Sequence, residues 1–205
     1  MARSLLVALI SFVLSFSVAQ AAPNTPPAQA TNSDTSTSST AQPDLLSFGA
    51  GYYDFDKGKD QPKTNSADFR LEYRWGLSIL PLVSNYFSSW DKYIQFHPYV
   101  GFETTSRGMT YGSGGWAMDG YIGRHGIFTW SEGVGLYQAG DSHSLGSFVE
   151  FRSMAELGWR FDNNMRITAA LSHISNAGLT KHNNGAEIAG MYLHVPVSLI
   201  AGTLH

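Results

Sequence analysis

From Leu45 onward the chain alternates. Leu46, Phe48, Ala50 and Tyr52 share one parity, against Ser47, Gly49 and Gly51 on the other. A strand sends successive side chains to opposite faces, so this stretch predicts a strand with one apolar face. The clearest case is residues 67–75. Phe69, Leu71, Tyr73 and Trp75 lie on one face, and Asp68, Arg70, Glu72 and Arg74 on the other. The same pattern predicts strands over 93–104, 115–124, 127–138, 147–160, 165–175 and 187–197. In 127–138 Glu132 interrupts an otherwise apolar face of Phe128, Trp130, Val134 and Leu136.

Eight such segments, most near the ~9–11 residues that cross a bilayer at a tilt, predict an all-β fold. The fold expected is an eight-stranded antiparallel transmembrane β-barrel over 44–205. A barrel this narrow fills its interior with side chains, so the mixed charges on the polar parities should pair there. Trp75, Phe102, Trp116 and Trp159 stand at the ends of apolar stripes, as an aromatic girdle requires. With the N-terminus periplasmic, the external connections are 54–66, 105–114, 139–146 and 176–186. The periplasmic ones are 76–92, 125–126 and 161–164. The first of these is long and apolar, which suits an interfacial segment. A soluble β-sandwich fits the composition almost as well. The terminal His205 departs from the aromatic end common in such barrels.

The segment before the strands divides in two. Residues 1–21 join Arg3 to a Ser-broken apolar run and end in Ala19–Gln20–Ala21, which reads as a secretory signal peptide. Residues 22–43, rich in Pro, Ser and Thr, read as a disordered tail. Loss of 1–21 removes Arg3 alone among charged residues, so the net charge of −3 becomes only slightly more negative. With no clustered basic stripe, nucleic acid is not an expected partner. The chain has no cysteine, which excludes disulfides, thiolate catalysis and Cys-bound metals. Charged residues make up 14% and aromatics 13%, a balance that suits a membrane barrel.

The candidate chemistry lies at the end of the seventh segment. Met165, Ile167, Ala169 and Leu171 make an apolar stripe that continues into His173 and Ser175. The eighth segment opens with Glu187, which heads the stripe Ala189, Met191, Leu193 and Val195. Paired as a hairpin, the two strands bring a Ser, a His and a carboxylate together on one face. These are the nucleophile, base and orienting acid of a serine hydrolase. Polar groups on an apolar face carry a desolvation cost unless paired, so three on one patch suggest a purpose. An oxyanion needs donors. The nearby candidates are the backbone N–H groups of Ala177 and Gly178 and the side chains of Asn176 and Asn183. For both Asn residues turn formation is the competing role. The chain has no Gly–x–Ser–x–Gly elbow and no His–Glu–x–x–His. His97 and His194 fall on interior parities, and His182 lies in the site loop.

The words "SHISNAG" and "NNGAE" resemble the lipid A 3-O-deacylases, outer-membrane barrel esterases that carry His–x–Ser–Asn on the penultimate strand and a downstream Glu. His173, Ser175, Asn176 and Glu187 match that pattern, with the clearest likeness over 145–197. The resemblance implies a bacterial outer-membrane enzyme that removes the ester-linked 3-hydroxyacyl chain at position 3 of lipid A. The site would face the outer leaflet, lipopolysaccharide and membrane lipids would be the partners, and no metal or other cofactor would be needed. A homodimer is compatible with it. A phospholipase or general lipid esterase with the same triad, and a non-catalytic lipid-binding barrel, are the alternatives.

Overall fold

In the computed structural model, residues 42–56, 65–78 and 94–202 are described. The proposed signal 1–21, nearly all of the 22–43 tail, most of the 76–92 connection and His205 lie outside them. Eight antiparallel strands close into one barrel in chain order, β1 pairing with both β2 and β8. They are β1 Leu45–Tyr53, β2 Ser66–Arg74, β3 Ile94–Thr105, β4 Thr110–Ile122, β5 Gly126–Gln138, β6 Val149–Arg160, β7 Arg166–Ser175 and β8 Ala186–Pro196. A one-turn helix, α1, follows at Val197–Ala201.

Two expectations need correction. The connection expected at 105–114 is a tight turn, because β4 starts at Thr110 and carries Gly112, Gly114 and Gly115 within it. Those glycines hide the alternation that side chains would reveal. Gly115 is also required sterically, since a Cβ there would lie 2.0 Å from the Glu132 carbonyl oxygen. Trp116 therefore falls in the middle of β4, where it packs on Phe96 with ring centroids 5.5 Å apart, and not at a stripe end.

The parity holds throughout. On β2 every second residue is buried, and the other set is exposed or, at Tyr73, half-buried. Two zones, beside a small cluster of Met154, Ala170 and Tyr192, fill most of the barrel interior. One is a lattice of charges. Arg70 pairs with Glu72 at 2.6 Å and Glu103 at 3.0 Å. Arg74 reaches Glu72, Asp119 and Glu156 at 2.8, 3.3 and 3.2 Å. Arg166 meets Asp119 at 2.6 Å, and His194 meets Glu156 at 3.0 Å. Burying one charge is costly, and these meet the cost by mutual pairing. The other zone is apolar. Tyr53, Met109, Tyr111, Tyr137, Leu145, Ile174, Ala186 and Ile188 pack together at the end from which the 176–185 loop emerges. Ile174, Ala186 and Ile188 are the immediate chain neighbours of His173, Ser175 and Glu187. The packing that fixes the register of β7 and β8 thus lies directly behind those side chains. A one-residue slip would exchange the two faces, so this plug also dictates which residues point outward.

Candidate active site

His173 and Glu187 are register partners across β7 and β8. Both point away from the barrel interior and are about one-third exposed, at 32% and 39%. His173 Nδ1 lies 2.7 Å from Glu187 Oε1. A carboxylate accepts only, so Nδ1–H donates and Nε2 is left as the basic nitrogen. Ser175 is the next outward residue on β7 and lies on the same face. The three side chains that the alternation singled out thus share the outward face, and two of them, His173 and Glu187, are bonded to each other.

The ring of His173 is held from behind. Gly185 has a positive φ of 57°, and a Cβ there would come within 2.6 Å of His173 Cε1. Only glycine combines that backbone with that contact. The Gly185 carbonyl is in turn bonded by His143 Nε2 at 3.1 Å, and His143 Nδ1 lies 3.0 Å from Asp54. Asp54 N–H donates to the Glu187 carbonyl at 2.6 Å. His143 and Asp54 gave no sequence signal, because their roles rest on contacts between separate loops.

The loop after Ser175 is a built turn. Leu179 N–H donates to the Asn176 carbonyl at 3.0 Å across Ala177 and Gly178, whose φ values are 52° and 83°. Two consecutive left-handed residues are the signature of a type I′ turn. Ala177 carries a strain that glycine would not, and such strain collects at functional sites. Asn176 is fully buried. Its Nδ2 faces the carbonyls of Leu145 and His182 at 3.0 and 2.7 Å and Thr180 Oγ1 at 3.0 Å. Its Oδ1 accepts from Gly178 N–H at 2.9 Å, and its own N–H donates to Asn183 Oδ1 at 3.1 Å. Of the four oxyanion candidates, Asn176 and Gly178 therefore use their donors inside the loop. Among the described residues, Ala177 N–H and Asn183 Nδ2 carry no hydrogen bond. His182 contributes its backbone carbonyl to this cluster.

Away from the loop, the strands beneath His173 present small residues. Ala155, Ala169 and Ala189, walled by Phe128, Leu157 and Leu171, form a groove of about 410 Å³ on the outer surface of β5–β8. Small residues recess the surface and large neighbours border it. The groove is apolar and begins one residue pair below His173. No cluster of three or more His, Cys, Asp or Glu suited to a metal occurs among the described residues.

A membrane-type barrel with a His–carboxylate pair and a serine on its outer surface is the class that fold and site define. The model of the lipid A 3-O-deacylase (PagL) family matches residues 46–196, and the chain belongs to that family of outer-membrane barrel enzymes. The crystal structure of the outer membrane enzyme PagL superposes with a TM-score of 0.56 at 18% identity, covering 74% of this chain and 99% of the other. A de novo designed transmembrane β-barrel gives 0.46 at 10% identity, with 75% and 95% covered. The Yersinia pestis outer membrane protein Ail gives 0.41 at 18%, with 75% and 100% covered. No curated protein matches significantly.

Proposed function

We propose that the chain is a serine esterase that hydrolyses the ester-linked 3-hydroxyacyl chain at position 3 of lipid A, working from the outer leaflet. The carrying observation is the 2.7 Å His173–Glu187 bond on the outward face beside Ser175. On a membrane barrel that face meets lipid, so a substrate ester held in the leaflet reaches the site without entering the barrel.

Glu187 fixes the tautomer of His173 and stabilises the imidazolium. His173 Nε2 takes the Ser175 hydroxyl proton as Oγ attacks the ester carbonyl. The oxyanion receives a hydrogen bond from Ala177 N–H, and Asn183 Nδ2 is the second donor in reach of the loop. Asn176 holds the turn that aims them. The tetrahedral adduct collapses, and the sugar oxygen leaves with the proton from His173. Water, deprotonated by His173, then attacks the acyl-serine and releases the hydroxy fatty acid. The groove of Ala155, Ala169 and Ala189 holds the acyl chain.

The test is refolded protein in detergent with purified lipid A, read by mass spectrometry beside Ser175→Ala. Loss of one 3-hydroxyacyl mass in the wild type alone is the expected result. Loss in both would remove Ser175 as nucleophile. No loss from folded protein would favour a phospholipase or a non-catalytic barrel.

A further inference from the structure

A second polar pair interrupts the same apolar surface. Glu132 on β5 and Ser153 on β6 are register partners, and Ser153 is also the register partner of His173. Glu187, His173, Ser153 and Glu132 therefore form one row across four adjacent strands, all on the outward face. Ser153 Oγ donates to Glu132 Oε2 at 2.8 Å, and Trp130 Nε1 donates to Glu132 Oε1 at 2.9 Å. Glu132 lies midway along β5, deeper in the strand than Glu187 in β8. A lipid-facing carboxylate is more costly there than near the interface. Neither pairing neutralises the charge, so the structure maintains an acceptor inside an apolar surface, and its two fixed donors aim it.

The position of that acceptor is informative. Ser175 lies one outward residue above the row, and the groove floor at Ala155 lies one outward residue below it. Outward residues repeat at roughly 6.8 Å along a strand. An acyl chain that is attacked at Ser175 and lies in the groove must cross the row beside Ser153, within its first few carbons. An apolar chain would leave Glu132 and Ser153 facing only methylene groups. A hydroxyl close to the carbonyl would instead donate to Glu132 Oε2 or Ser153 Oγ, both of which have lone pairs left.

We propose that Glu132 and Ser153 form a hydroxyl-recognition site that selects acyl chains hydroxylated close to the scissile ester, the 3-hydroxyl being the group they bind. This rests on the esterase reading above and adds the selectivity of that site. Glu132 and Ser153 keep their bond to each other without a hydroxyl, but the remaining lone pairs of the carboxylate are then covered by methylene groups. Sites built to hydrogen-bond a substrate hydroxyl reject the analogue that lacks it.

The experiment compares two p-nitrophenyl esters, of tetradecanoic and of 3-hydroxytetradecanoic acid, in detergent with the full chain. The variants are Glu132→Gln and Ser153→Ala. The wild type should favour the hydroxylated ester in kcat/KM by about tenfold or more. In both variants the ratio should fall towards one. A general loss of folding would lower both rates and leave the ratio, so the ratio separates recognition from scaffold. Equal wild-type rates on the two esters, or a ratio unchanged in both variants, would overturn the hydroxyl site and leave the esterase standing. No turnover of either ester by folded wild-type protein would bring down the esterase reading, and the hydroxyl site with it.

Discussion

Glu187 accepts a hydrogen bond from the ring of His173, directly across the β7–β8 register and on the outer surface of the barrel. The carboxylate fixes which nitrogen is basic, so its charge matters less than its acceptor geometry until an imidazolium forms. Glu187→Gln should lower kcat on a soluble ester by roughly 10²–10⁴, with little change in KM. A fall of less than about threefold would remove Glu187 from the catalytic set.

Asn176 is a structural hub whose loss has a local signature. Asn176→Ala leaves the Leu145 and His182 carbonyls without that donor. It should cost about 10–100-fold in rate, and limited proteolysis should cut within 176–185 where the wild type resists. By contrast, Ala177→Gly relieves a left-handed alanine and should keep activity while raising stability by up to about 1 kcal/mol. Unaltered loop protection in Asn176→Ala would refute the hub.

In the proposed reaction the groove should set a chain-length profile. Ala169→Phe puts bulk onto its floor. Turnover of long-chain esters relative to four-carbon esters should fall about tenfold in a series of p-nitrophenyl esters. An unmoved profile would place the acyl chain elsewhere.

The charge lattice should be intolerant of truncation. Arg74 serves Glu72, Asp119 and Glu156 at once. Arg74→Ala leaves three buried carboxylates short of a partner, with an expected cost of about 3–5 kcal/mol in urea unfolding. An unshifted midpoint would mean that water or rearranged neighbours replace the guanidinium.

Asp44, just before β1, predicts a pH effect. Its carboxylate accepts from Gly76 N–H at 2.7 Å and from the Tyr73 hydroxyl, and these bonds, in that order, hold its pKa below the ordinary range. A depressed folded-state pKa gives stability that is present above the unfolded value near 3.9 and is lost as pH falls through the folded one. Asp44→Asn should therefore be less stable than wild type at pH 7. The site lies at the barrel rim and is only partly buried, so the difference should stay below about 1 kcal/mol. The gap should close as pH falls below about 4, as unfolding monitored by tryptophan fluorescence would reveal.

Strand number, face assignment, the His173–Glu187 pairing and the place of Ser175 on the same face are legible because they follow from a period of two and one hairpin. The start of β4 is hidden in the sequence because Gly112, Gly114 and Gly115 have no side chains to alternate. Glu132 stood out as a break in parity, but its reason did not. Ser153 becomes its partner only through the β5–β6 register, which no local pattern reveals. His143, Asp54 and Gly185 act between loops and were silent for the same reason. Asn176 showed its presence in the motif but not its bonding.

The strict alternation of β7 has an evolutionary consequence. Arg166, Thr168, Ala170, Ser172 and Ile174 answer to the barrel interior, and Ile167, Ala169, Leu171, His173 and Ser175 answer to the lipid side. Substitutions on one set leave the other's surroundings intact, so substrate preference can drift without touching the scaffold. The two records are interleaved one letter apart, however. Deleting one residue within β7 would read the lipid-facing letters into the interior, so this strand can vary by replacement but not by length.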